Sequence, residues 1–127
     1  MRGLILRRFC VAIGWVLVVA IIVISVIPSP PSVDFEQGDK LGHLLAYGGV
    51  MFWFSQLYQT TRTRLAYAVG FIAMGISLEF VQRALGYRSF EVLDMVANTI
   101  GVLLGGAAAL IIPRFLPQRK QEPRAGN

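Results

Sequence analysis

Residues 9–27 read FCVAIGWVLVVAIIVISVI, a run of 19 residues without a single acid or base. At about 1.5 Å of rise per residue, a helix of this length matches the hydrocarbon core of a bilayer, roughly 30 Å thick. Arg2, Arg7 and Arg8 stand ahead of the run, and Pro28, Pro30 and Pro31 follow it. Proline cannot donate the next helical hydrogen bond, so the helix is expected to stop there and give way to an extended linker through residues 32–38. The basic start also has the form of a secretory signal. However, the run is long for one, and Ser25-Val26-Ile27-Pro28 lacks the small-x-small pattern of a cleavage site, so a retained anchor is expected.

Working outward, residues 41–57, 65–85 and 92–112 are three further apolar stretches of spanning length. A polar turn at 58–64 and a loop at 86–91, with Ser89 as the expected N-cap, separate them, and Pro113 and Pro117 follow the last. The pattern predicts an all-α polytopic membrane protein. It would be one domain over residues 1–127, a bundle of four transmembrane helices ending in a basic tail at 113–127.

Composition points the same way. Of 127 residues, 55% are hydrophobic and 15% charged, with mean hydropathy +0.61; soluble domains average roughly 45–50% and about 25%. This excludes an ordinary soluble enzyme core and a disordered chain. The formal charge of +5 does not indicate nucleic acid, because the twelve Lys and Arg cluster at the ends of apolar runs instead of along one polar face. Cys10 is the only cysteine and reads as a small apolar filler.

Orientation follows from the basic residues. Arg2, Arg7, Arg8, Arg62, Arg64, Arg114, Arg119, Lys120 and Arg124 fall on one side of the expected spans, and Lys40, Arg83 and Arg88 on the other. The positive-inside rule then puts both termini in the cytoplasm. Six of the seven acids, Asp34, Glu36, Asp39, Glu79, Glu91 and Asp94, lie on the opposite side, which makes the outer face anionic.

An ionisable group within a span costs about 2.5–3.5 kcal/mol at its centre on insertion scales, so each needs a reason. Here they share one depth. Asp39, His43 and Tyr47 are four apart on one helical stripe; Glu79 is followed by Gln82 and Arg83; Asp94 and Asn98 open the last span. His43, Glu79 and Asp94 come out roughly 5–10 Å below the outer boundary. The inner halves of the spans carry no ionisable group, which disfavours a transporter or proton relay and suits a pocket open to the outside. Ala97, Gly101, Gly105 and Ala109 repeat every four residues, a stripe that lets another helix come close; Ala66, Gly70, Ala73 and Ser77 form a looser version in the third span.

Asp39-Lys40-Leu41-Gly42-His43 with Tyr47, then Glu79 with Gln82, then Arg88, and Asp94 with Asn98 and Gly101, resemble the pattern of the VanZ-like family of small bacterial membrane proteins. The likeness runs from Asp39 to about Gly106. A proline often found in that family's loop before the arginine is replaced here by Gly86-Tyr87. The resemblance implies a several-helix protein of the bacterial cytoplasmic (inner) membrane, related to a founding member associated with resistance to the glycopeptide teicoplanin.

Three functions are compatible with these residues. The first is an outward-facing site that binds or modifies a lipid-linked cell-wall precursor, a glycopeptide or a related envelope molecule. In it His43, Glu79 and Asp94 are the candidate catalytic groups, and Asp39, Lys40, Tyr47, Gln82, Arg88 and Asn98 the candidate binding groups. The second is a structural or partner-binding membrane protein whose polar layer only joins helices. The third is a small membrane hydrolase or transferase with His43 as base. Ligand spacing is too loose for a metal site, and no cofactor is expected; membrane lipids are the other partners.

Overall fold

The computed structural model describes residues 2–27, 38–86 and 91–114. The expected proline linker, Arg88, Ser89 and the basic tail from residue 115 lie outside the described residues. Four helices account for nearly all the rest: α1 (Arg2–Val26), α2 (Gly38–Leu57), α3 (Thr61–Leu85) and α4 (Val92–Ile111).

Helix ends follow local chemistry. α1 runs up to the proline cluster, its last turn closed by Ile27 N–H donating to Val23 O. α2 begins at Gly38, earlier than apolarity alone indicates. The expected polar turn at 58–64 is shorter than its composition implied. α3 already starts at Thr61, after an extended Thr60, and ends on Gly86, whose φ of 78° is the left-handed conformation of a helix C-cap. The N-cap of α4 is Glu91, not Ser89, and Pro113 follows its last residues.

Among the described residues, three helices are long and apolar enough to cross a membrane: α1, α3 and α4. The expectation of four therefore holds for three by this measure. α2 falls outside it because it is the central helix, carrying His43, Ser55 and Gln56 along with its apolar residues, and Ser55 and Gln56 are fully buried. Its neighbours carry most of the exposed apolar surface. From Phe9 onward α1 in particular is apolar all round, and it buries only Cys10, Gly14 and Val18, the pattern of a helix set in hydrocarbon.

Helices consecutive in the chain alternate in direction. Arg7 and Cys10 of α1 meet Leu57 and Trp53 of α2, so these two are antiparallel. Trp15 meets Tyr67 and Ser25 meets Gln82, so α1 and α3 run the same way. α2 packs most extensively on α4, also in parallel. Added Cβ atoms on Gly101 and Gly105 would fall on the carbonyl oxygens of Leu44 and Gly48. The small-residue stripe of α4 thus does bring two backbones together, which is how helices associate where lipid removes the hydrophobic drive.

The looser stripe of α3 does not. Ala66, Gly70, Ala73 and Ser77 all face outward, and the packed side of α3 is Phe71, Gly75, Glu79 and Gln82. The core joins Val18, Tyr47, Val50, Met51, Phe54, Phe71 and Val102. Phe54, fully buried, stacks on Tyr67 at 4.7 Å and meets Trp15 edge-on at 5.4 Å, both favourable aromatic geometries.

Candidate functional site

The polar layer gathers at the end of the bundle where α2 and α4 begin. His43 Nδ1 donates to Asn98 Oδ1 at 2.9 Å. An amide oxygen only accepts, so this bond fixes the Nδ1 proton and turns Nε2 toward Asp94, whose Oδ2 lies 3.9 Å away. Asp94 and Asn98 are one helical turn apart on α4 and both are buried, whereas His43 keeps 17% of its side chain exposed. The imidazole therefore stands between a buried acid and the surface.

Lys40 sits one turn nearer the end. Its ammonium donates to Glu91 Oε2 at 2.8 Å and lies 3.9 Å from Asp94 Oδ1. Glu79 reaches across from α3, where its Oε1 accepts the Glu91 backbone N–H at 2.8 Å. That N–H is at the N-cap of α4 and has no partner within the helix, so a carboxylate there is favoured by both the bond and the dipole. With 1% exposure, Glu79 needs such partners.

All but two of the candidate residues have a place. His43, Asp94, Asn98 and Lys40 converge, and Glu79 joins them through Glu91. Tyr47 is buried beneath Asn98: a Cβ added to Gly75 would lie 2.9 Å from Asn98 Nδ2 and 3.2 Å from Tyr47 Cε1. Gln82 points elsewhere, its amide donating at 2.7 Å to Ser25 O at the end of α1. Asp39 is in the first turn of α2, but its side chain, like the whole of Arg88, lies outside the described residues. Arg83 is exposed in the last turn of α3. Among the described residues, no three of His, Cys, Asp and Glu are grouped so as to hold a metal ion.

Sequence reading gave too little weight to Glu91 and Gly75. Glu91 binds both Lys40 and Glu79; the available signal was an acid directly before an apolar helix, three residues ahead of Asp94. The opposite end of the bundle also proved more organised than expected. Arg7 Nη2 donates to Leu57 O at 3.3 Å, and Arg64 donates to Tyr58 O at 2.7 Å and Ser55 O at 2.6 Å. Guanidinium groups from α1 and α3 thus satisfy the last carbonyls of α2, where positive charge is favoured.

No protein-family model matches this chain, and no solved structure matches it. It is similar to an uncharacterized protein of Schizosaccharomyces pombe, 29% identical over 110 residues that make up 84% of this chain. The chain spans 65% of that relative's length.

Proposed function

We propose that the chain is a VanZ-like polytopic membrane protein with both termini in the cytoplasm, whose carboxylate-rich cluster binds the polar head of a lipid-linked molecule. His43 handles protons in that site. The observation carrying this reading is the His43 imidazole held by Asn98 on one side and facing buried Asp94 on the other, while 17% of its side chain stays exposed. Among the described residues of the cluster, Glu79, Glu91 and Asp94 outnumber Lys40, so the ligand groups that suit the site are donors, the hydroxyls and amines of a sugar or amino headgroup. A lipid-linked cell-wall precursor or a glycopeptide falls within that class. The Schizosaccharomyces pombe relative favours a headgroup chemistry common to bacterial and eukaryotic membranes over one confined to the bacterial wall. The arginines gathered at the far end support the orientation.

A second reading has its own support. The bonds His43–Asn98, Lys40–Glu91, Glu79–Glu91 and Gln82–Ser25 all run between different helices or between a helix and a neighbour's cap. On this reading the layer is a lock, each bond contributing about 0.6 kcal/mol.

Native mass spectrometry of protein released from its own membrane separates the two. The binding reading expects a lipid adduct on the wild-type protein that His43→Ala and Asp94→Asn lose at unchanged helical content and yield. Adducts equal in all three proteins, with only the melting temperature lowered, would leave the lock.

A further inference from the structure

An apolar cleft of about 340 Å³ runs between α1 and α3, bordered by Trp15, Val18, Tyr67, Gly70, Phe71 and Met74. This volume lies in the range of small-ligand sites, about 300–1,000 Å³. The cleft belongs to the inner half of α3 and leads toward the basic end of the bundle. Tyr67 stacks on Tyr58 at 5.1 Å, and the Arg7 guanidinium lies 5.3 Å over the Tyr58 ring.

Two further cations continue the walls of the cleft. Arg62 is four residues before Ala66, which lines the cleft, and Arg8 is seven before Trp15; each spacing keeps the pair on one helix face. Arg7 and Arg64 are engaged with α2 carbonyls, whereas Arg8 and Arg62 are exposed. Neither α1 nor α3 has an acidic residue in its first turn. An apolar slot that ends in positive charge, with no carboxylate on either wall, is complementary to a chain carrying an anionic head.

We infer that the α1–α3 cleft holds an acyl chain of an anionic phospholipid whose phosphate lies against Arg8 and Arg62. The inference rests on the membrane-spanning character of α1 and α3 and is independent of the His43 cluster at the other end. Basic residues near an interface hold anionic lipid with about fivefold in affinity each, from roughly 1 kcal/mol per residue.

Trp15 is a built-in reporter, being half-exposed in the cleft, and Trp53→Phe leaves it as the only tryptophan. That protein is reconstituted in phosphatidylcholine vesicles containing a minor fraction of phosphatidylglycerol or phosphatidylcholine with brominated acyl chains, which quench nearby indoles. The expected result is stronger quenching by brominated phosphatidylglycerol, a preference of about fivefold or more that falls toward unity in Arg8→Gln/Arg62→Gln. Gly70→Leu fills open space in the cleft, since nothing lies within 4 Å of a Cβ there, and should reduce quenching by both lipids. Equal quenching by the two lipids in the Trp53→Phe protein, or a preference that survives the double substitution, overturns the proposal. Should the double variant not reconstitute, salt decides: a preference that declines with ionic strength supports the arginine contact, and one indifferent to salt refutes it.

Discussion

A methyl group on Gly75 would lie 2.9 Å from Asn98 Nδ2 and 3.2 Å from Tyr47 Cε1, closer than packed atoms comfortably sit. Gly75→Ala is therefore expected to displace Asn98 and loosen His43 without altering any polar residue. It should cost about 1–3 kcal/mol in unfolding from detergent, as overpacking does, and reproduce the ligand phenotype of His43→Ala; an unchanged unfolding midpoint would contradict it. Glu79 tests bond against charge. Gln can still accept the Glu91 N–H through its amide oxygen, so Glu79→Gln is expected to stay close to wild type in stability. Glu79→Leu orphans that buried donor and should lose about 1–3 kcal/mol. Equal losses in the two variants would show that the charge and not the hydrogen bond matters. Residue types and spacing indicated which polar groups would share a depth, but Gly75 was silent, because a glycine's role depends on what presses against it.

Helix pairing depends on glycines of a different kind. Gly101 and Gly105 of α4 lie against the backbone of α2, where a side chain has no flexible neighbour to displace. Gly101→Ala and Gly105→Ala should each lower stability by about 1–3 kcal/mol or more. Gly70→Ala, on the open face of α3, should be neutral or stabilise by up to about 1 kcal/mol, since alanine is the better helix former. Thermal unfolding of the three variants tests that ordering; a penalty at Gly70 as large as at Gly105 would place α3 differently. The two small-residue stripes look alike in sequence, yet one is packed and the other is exposed. Spacing shows that a close approach is permitted, and only the neighbouring helix determines whether one occurs.

For the whole molecule, the arrangement gives two chemically distinct ends. Carboxylates, His43 and Lys40 occupy the end where α2 and α4 begin, and Arg7 and Arg64 hold the end where α2 finishes. On the proposed orientation, which puts the basic end in the cytoplasm, Asp39→Cys in a Cys10→Ala background should react with a membrane-impermeant maleimide on intact cells. Arg119→Cys should react only after lysis. The reverse pattern would invert the protein and move the proposed ligand site to the cytoplasmic side.

Length, hydropathy and proline placement by themselves determined the all-helical class and located the ends of the four helices to within a residue, because spanning length and backbone hydrogen bonding in lipid leave few alternatives; the starts of α1 and α3 come seven and four residues before the apolar runs, through the basic residues ahead of them. They also placed His43, Glu79, Asp94 and Asn98 near one another, since depth follows from position along a helix of fixed rise. Only the tertiary structure decided which of those groups touch. It paired His43 with Asn98, directed Gln82 to Ser25 and made Glu91 the link between Lys40 and Glu79. It also turned one face of α3 outward and set α2 at the centre. These outcomes depend on helix rotation and on contacts between residues distant in the chain, which no periodicity within a single segment encodes.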